Sequence, residues 1–163
     1  MKLLCMLLLC CVSLCAECIP QYIARYSYTS GGAITIQQLA SGSKTVELCS
    51  GFVYCASACT ATEEVSGTAA TATAMAAESA SATASLLILL RAASLGGGPV
   101  ASVFKDSNSS SGKVLMPYIL VAGEKLPLSL EGIGLLGNGT TVNFTLRSST
   151  GTGELSVSWK ERR

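Results

Sequence analysis

The sequence predicts an all-β protein, an antiparallel β-sandwich of the jelly-roll kind with a short apolar N-terminal segment. Apolar and polar residues alternate with a period of two in many short runs, as they do in half-buried strands. Turn signals rich in Gly, Ser and Asn separate these runs at spacings of about 8–12 residues, which is typical of sandwiches. Of the 163 residues, 49% are hydrophobic and 13% are charged. This composition excludes a disordered, highly charged chain.

Composition divides the chain into three parts. Residues 1–16 form an apolar leader, residues 17–47 an N-terminal arm of strands, and residues 48–163 the β-sandwich domain. The leader begins with one positive charge, at Lys2, and its apolar run ends at Glu17. Because a bilayer-spanning helix needs roughly 20 apolar residues, the leader is predicted to be a secretory signal cleaved after residue 16. It would then contact a membrane only transiently. The alternative is a retained segment that is buried in an assembly or acylated.

Four strands are predicted before residue 60. They are, in order, Tyr22–Tyr28, Ala33–Gln37, Thr45–Cys49 and Phe52–Cys59. The first is rich in aromatic residues, and the next two alternate apolar with polar residues. Turns are predicted at Ser30–Gly32 and at 41–43, and a bend is predicted at Ser50–Gly51.

Residues 60–85 consist largely of Ala, Thr and Ser. Alanine has the highest helix propensity, so a helix from about Ala69 is one interpretation. The period-two alternation and the many Ser and Thr residues, which compete with helical backbone hydrogen bonds, favour strands instead. We predict two strands over Ala69–Ser85 with Glu78 near their reversal. A strand buried on both faces is predicted to follow over Ser85–Arg91.

Five strands are predicted after Gly96. They are Val100–Phe104, Val114–Val121, Leu126–Leu130, Thr141–Arg147 and Glu154–Lys160. Pro117 predicts that its strand is an edge strand or carries a bulge, and Gly137–Gly139 is a strong turn signal. The last two strands are predicted to form a hairpin with one wet and one apolar face. The residues assigned to the core are Phe144, Leu155, Val157 and Trp159.

The residues needed for catalysis are scarce. The chain has no His, which excludes imidazole bases and His-ligated metals. Its single aspartate, Asp106, lies in a polar loop, and the adjacent Glu63 and Glu64 point to opposite faces of a strand. We therefore predict a protein that is not an enzyme, with no catalytic residues, cofactor, metal or small-molecule substrate. The net charge of +1 also excludes a strongly basic nucleic-acid binder.

Eight cysteines occur, and four remain once the leader is removed. These four, candidates for disulfides in an oxidising compartment, are Cys18, Cys49, Cys55 and Cys59. On one straight strand Cys55 and Cys59 would lie about 13 Å apart, which is beyond disulfide reach. Bonding of Cys49 to Cys59, or of Cys18 to either, stays open. The alternative is that the thiols are free and buried.

Three Asn-X-Ser/Thr sequons predict N-glycosylation sites at Asn108, Asn138 and Asn143. All three are expected in turns or on a solvated strand face, where a glycan fits.

Four segments together follow a plan of an apolar strand, a turn after VAGE (121–124), a Leu-alternating strand, a Gly-Asn-Gly-type turn and a Ser/Val-rich final strand. They are CSGFVYCASACTA (49–61), SLLILLRAAS (85–94), GKVLMPYILVAGEKLPLSLEGIGLLGNGTTVNF (112–144) and GELSVSWKE (153–161). With this plan, the stretch Leu48–Lys160 resembles small β-sandwich structural proteins of tailed bacteriophages, which decorate heads or build tails. The resemblance implies a virion protein that self-associates, often as a trimer, and binds other virion proteins. It implies no catalytic or ligand-binding residues.

Two functional hypotheses follow. The first is a non-enzymatic, virion-type structural or decoration protein that acts by self-assembly, because a chain with few charges tends to have its apolar patches covered by partners. The second is a secreted or cell-surface β-sandwich module with disulfides and N-glycans. A third hypothesis is a β protein that binds a lipid or another ligand in an apolar pocket.

Overall fold

The computed structural model describes residues 18–39, 44–67, 73–75, 78–79, 101–105, 112–137 and 139–162. Their strands form two antiparallel sheets that enclose one apolar core, which confirms the predicted all-β sandwich. The jelly-roll topology stays a prediction. The strands are β1 (Tyr22–Tyr28), β2 (Gly32–Gln38), β3 (Thr45–Cys55), β4 (Cys59–Ser66), β5 (Thr73–Met75), β6 (Glu78–Ser79), β7 (Ser102–Lys105), β8 (Lys113–Leu120), β9 (Glu124–Ser129), β10 (Gly134–Leu136), β11 (Val142–Ser148) and β12 (Gly153–Arg162).

Each sheet has six strands among the described residues. The first sheet has the order β10-β3-β12-β1-β6, and β9 also pairs with β3. β9 and β10 therefore lie one after the other along the same side of β3. The turn between them is held by hydrogen bonds from Leu130 N to Cys49 O (3.1 Å) and from Leu48 N to Ile133 O (2.9 Å). The second sheet has the order β5-β7-β2-β11-β4-β8.

The strands of the arm over 17–47 belong to both sheets. β1 lies between β12 and β6 in the first sheet, and β2 lies between β7 and β11 in the second. Gly31 makes the turn between them with a φ of +87°, where an added Cβ would lie 2.8 Å from the Ser149 carbonyl oxygen. The expected boundary between residues 47 and 48 falls inside β3. The arm strands are therefore interior strands of the sandwich.

The core lies between the two sheets and contains the four residues assigned to it. Phe144, Leu155, Val157 and Trp159 are all 0% exposed. The Trp159 indole stacks on the ring of Tyr22, its cross-strand neighbour, with the centroids 5.7 Å apart. Burial of these residues confirms the pattern-based prediction.

The expectation of a single strand over Phe52–Cys59 is wrong. β3 continues through Gly51 and ends at Cys55, and β4 begins at Cys59 in the other sheet. Gly51 allows β3 to approach β12 closely, because an added Cβ would lie 2.5 Å from the Ser156 carbonyl oxygen. The chain crosses between the sheets within three residues that include neither Gly nor Pro, so the crossing leaves no turn signal in the sequence.

The expectation that the last two strands form a hairpin is also wrong. β11 lies between β2 and β4 in the second sheet, whereas β12 lies between β1 and β3 in the first. The polar face of β11, expected to be wet, is buried, with Asn143 at 0% and Thr145 at 2% exposure. The hydroxyls of Thr145 and Thr35 share a hydrogen bond of 2.9 Å on this face. Alternation shows which residues share a face but not which strands are neighbours.

Two short pieces of the Ala-rich region are described, and both are strands. β5 pairs with β7 in the second sheet, and β6 pairs with β1 in the first. At these positions the favoured strand prediction agrees with the structure. Glu78 lies in β6, and not at a reversal between two paired strands. The rest of Ala69–Ser85, and the strand predicted over Ser85–Arg91, fall outside the described residues.

Candidate interaction surface

All four cysteines predicted as disulfide candidates are bonded. Cys18 pairs with Cys49 and Cys55 pairs with Cys59, with Cα–Cα distances of 5.2 and 6.2 Å. The Cys18–Cys49 bond is one of the pairings left open by the sequence, and it ties the start of the described chain to the middle of β3. The Cys55–Cys59 bond corrects the expectation that these two residues lie out of reach. That expectation assumed one straight strand, whereas the two residues flank the crossing between sheets.

The Cys55–Cys59 bond lies in a buried corner of the sandwich. The two residues are 0% and 6% exposed. The Tyr28 hydroxyl lies 3.6 Å from Cys55 Sγ and donates a hydrogen bond of 3.3 Å to the Tyr54 carbonyl oxygen. Burial raises the pKa of Tyr28. The bond therefore links the two sheets covalently at a position that is buried from solvent.

The sequons have different structural settings. Asn143 is fully buried in the central strand β11, where its Nδ2 donates to Ser66 Oγ over 3.4 Å. A glycan does not fit there, so the expectation that Asn143 lies on a solvated face is wrong. Asn108 and Asn138 lie outside the described residues. Gly139, which follows Asn138, has a φ of +73°, as expected for the predicted turn.

The adjacent carboxylates of β4 are both engaged in structural contacts. Glu63 is 5% exposed and accepts a hydrogen bond of 2.6 Å from the Tyr118 hydroxyl of β8. Glu64 accepts one from the Thr62 hydroxyl (2.8 Å) and pairs with Arg147 Nε at 3.2 Å. The two glutamates thus have different partners, as alternation along a strand requires. Both hold neighbouring strands together.

The contact between Tyr118 and Glu63 predicts a dependence of stability on alkaline pH. Burial, together with the hydrogen bond to Glu63 and the charge of that residue, raises the pKa of Tyr118 to about 12. A group whose pKa is raised by folding stabilises the fold below its unfolded pKa of about 10 and loses that contribution as the pH rises through the folded value. The contribution is therefore lost between about pH 10 and 12.

We expect the difference in unfolding free energy between the wild type and Tyr118→Phe to shrink across that window. Denaturant unfolding of both proteins at several pH values measures it. Absorbance titration of tyrosinate should lose its most alkaline step in Tyr118→Phe and keep it in the matched control Tyr54→Phe. A difference that stays constant with pH would contradict the assignment.

One polar groove of about 360 Å³ lies beside the Cys18–Cys49 bond. Its charged groups neutralise each other, because Glu47 Oε2 pairs with Lys160 Nζ at 3.2 Å and with Arg162 Nε at 3.1 Å. Glu131, which also lines the groove, accepts a hydrogen bond from the Cys18 amide (3.1 Å). These contacts occupy the side of β3 between its pairing with β9 and its pairing with β10.

The strand β8 exposes the densest set of apolar side chains on the described surface. It is the last strand of the second sheet and pairs with β4 alone among the described strands. Val114, Leu115 and Met116 are 42–50% exposed and Ile119 is 88% exposed. Val121, directly after the strand, is 66% exposed. Several exposed apolar residues along one strand mark an interaction site more often than scattered single residues do.

The edge β8 also carries features that interrupt backbone pairing. Pro117 lies within the strand, which confirms the prediction of an edge strand or a bulge. The register shifts where Glu63 faces Met116 and Glu64 faces Val114, so that Leu115 has no opposite residue on β4. A proline and a bulge are two devices that prevent unlimited edge-to-edge pairing. We therefore expect β8 to offer its side chains, more than its backbone, to a partner.

Among the described residues, no group of three or more His, Cys, Asp or Glu side chains comes together as metal ligands would. No helix in that part of the chain has the length and apolarity needed to cross a membrane.

Comparison of the chain with protein-family models, with curated proteins and with solved structures finds no match.

Proposed function

We propose that this protein is a non-enzymatic structural β-sandwich that acts by associating with copies of itself. The apolar edge β8 carries the proposal. Five exposed apolar residues lie in and directly after one strand at the end of a sheet; they are Val114, Leu115, Met116, Ile119 and Val121. Burial of such a patch stabilises a complex by about 25 cal/mol per Å² of apolar surface removed from water. A net charge of +1 gives little repulsion between copies.

The buried acidic groups support a structural role over a catalytic one. Glu63 and Glu64 contact Tyr118 and Arg147, as described above. Glu161 accepts a hydrogen bond from the Ala101 amide (3.0 Å) and lies 3.5 Å from Lys44 Nζ. Each of these carboxylates joins strands or loops that are distant in sequence.

We place this self-association in a virion, where the protein would decorate or build the particle with other virion proteins. The resemblance in strand plan to structural proteins of tailed bacteriophages supports this location in a virion. It also favours a trimer and a jelly-roll topology. Neither nucleic acid nor a small molecule is required as a partner.

A second candidate is a secreted or cell-surface module, and the two disulfides favour it. Cys18–Cys49 and Cys55–Cys59 use all the cysteines that follow the leader. Disulfides persist in oxidising compartments and are rare in the cytosol. The signal-like leader of residues 1–16 points the same way.

Light scattering on purified native protein tests self-association. We expect a mass that is a multiple of the monomer at micromolar concentration. Ile119→Lys should shift it towards the monomer, because a charge at this 88% exposed position opposes apolar contact. Ile19→Lys is the matched control, since Ile19 is 77% exposed but lies outside β8. A wild type that stays monomeric at all accessible concentrations would overturn the proposal.

Intact-mass measurement separates the two candidates. The secreted module predicts loss of residues 1–16 and resistance of all four remaining cysteines to alkylation before reduction. A glycan mass at Asn108 or Asn138 would support the same candidate. A full-length mass, with residues 1–16 retained, favours the virion protein and excludes the secreted one.

A further inference from the structure

We infer that β8 packs antiparallel against β8 of a second copy to form a closed two-fold pair, in which Lys113 of each chain faces Glu124 of the other. This inference rests on the proposed self-association and names its geometry. It assigns a dimer, whereas the resemblance to phage proteins favours a trimer.

The arrangement follows first from symmetry. An isologous contact uses the same patch on both subunits, so every contact occurs twice. A two-fold axis perpendicular to the sheet satisfies this condition and makes the two copies of the edge strand run antiparallel. With the axis through Pro117, and with Leu115 as the extra residue of the bulge, Lys113 lies opposite Leu120 of the second copy. The apolar residues Val114 and Ile119 then face each other across the axis.

The charges at the ends of β8 complement each other in this arrangement. Lys113 is exposed at the start of the strand, and none of the described ion pairs uses it. At the other end, the Glu124 carboxylate accepts a hydrogen bond from the Val121 amide over 2.9 Å, which holds it beside the end of β8. Because Lys113 lies opposite Leu120 of the second copy, its ammonium comes within reach of that copy's Glu124. A parallel alignment would place Lys113 beside Lys113 instead.

Pro117 and the bulge at Leu115 explain why association stops at two copies and does not continue into a longer sheet. Pro117 removes one backbone donor, and the bulge at Leu115 breaks the ladder, so the edge does not template an open-ended sheet. Side-chain contacts between Val114, Met116 and Ile119 carry the pairing. Once two β8 strands meet, neither edge is left for a third copy.

Charge reversal tests the geometry. Lys113→Glu and Glu124→Lys are each expected to weaken the homodimer about tenfold at low salt, because each places two like-charged pairs across the interface. Mixing the two variants should restore association, since a heterodimer contains two opposite-charge pairs. Light scattering and native mass spectrometry report the species formed. Arg25→Glu, an exposed reversal on β1, is the matched control and should leave association unchanged.

The outcomes separate this inference from the proposed function. Single variants that weaken association, together with a mixture that restores a dimer, support the two-fold pair. A wild type that associates as a trimer, or single variants that associate like wild type, would overturn the pair and leave self-association standing. A monomeric wild type would overturn both. At a concentration where all forms are monomeric, the wild type and the single variants should unfold at the same temperature, which shows that the reversals act on the interface and not on the fold of the monomer.

Discussion

Truncation of Trp159 to alanine is expected to lower the free energy of unfolding by about 3–5 kcal/mol. The indole is fully buried between the sheets and stacks on Tyr22. Its removal leaves a cavity that the flanking strands cannot fill, because β12 is held on both sides by β1 and β3. Urea unfolding followed by far-ultraviolet circular dichroism measures the change, with the slope of the transition checked for constancy.

Two further variants serve as controls for this loss of stability. Trp159→Phe keeps an aromatic ring against Tyr22 and should lose less stability than the alanine variant. Leu136→Ala removes a side chain that is 56% exposed, so its effect should stay within about 0.5 kcal/mol. Equal losses at Trp159 and Leu136 would show that the indole does not occupy the core.

Removal of the Cys18–Cys49 bond is expected to cost about 3.7 kcal/mol, and removal of Cys55–Cys59 about 2 kcal/mol, when each pair is replaced by alanine. The difference arises because the two bonds close loops of different length. The sequence separation is 31 for Cys18–Cys49 and 4 for Cys55–Cys59. A longer loop removes more conformational freedom from the unfolded chain.

Each double variant serves as the control for the other, since both replace two buried or half-buried cysteines by the same residue. Under non-reducing conditions, the Cys18→Ala/Cys49→Ala variant should unfold at a lower temperature than the Cys55→Ala/Cys59→Ala variant. The reverse order would mean that packing at the buried corner of Cys55 outweighs loop closure. Wild-type protein in reductant should lose stability by about the combined amount if both bonds are accessible to it.

Alternation of side chains predicted most of the strands and the core. The runs Tyr22–Tyr28 and Thr141–Arg147 match β1 and β11 closely, because each places apolar residues towards one shared core. Pro117 predicted an edge because a missing donor is tolerated only where no neighbour needs it. These are local properties that a short segment carries by itself.

The neighbours of each strand could not be predicted in the same way. The pattern of β11 and β12 is the same whether they form a hairpin or cross between sheets, so the local sequence does not distinguish the two arrangements. Nor does it show that the polar face of β11 is covered, which is why Asn143 was expected to be solvated. The crossing between Cys55 and Cys59 is stabilised by a covalent bond and not by turn residues, so no turn signal marked it.

The candidate surface was only partly predictable. Low charge content indicated that some apolar surface would be left for a partner, and Pro117 indicated an edge. Which edge carries the apolar residues depends on the order of strands in the second sheet. Glu124 follows β8 by four residues, but the sequence does not show that its carboxylate is held beside the end of that strand by the Val121 amide.

The Cys18–Cys49 bond determines how the domain carries mechanical load. Tension applied through residues before Cys18 passes across the sulfur bridge directly into β3, so β1 and β2 bear none of it. The bridged segment, with a sequence separation of 31, would withhold roughly 100 Å of contour length from any forced extension. An anchored copy would therefore be pulled from a strand inside the first sheet, and its N-terminal strands would not be peeled away first.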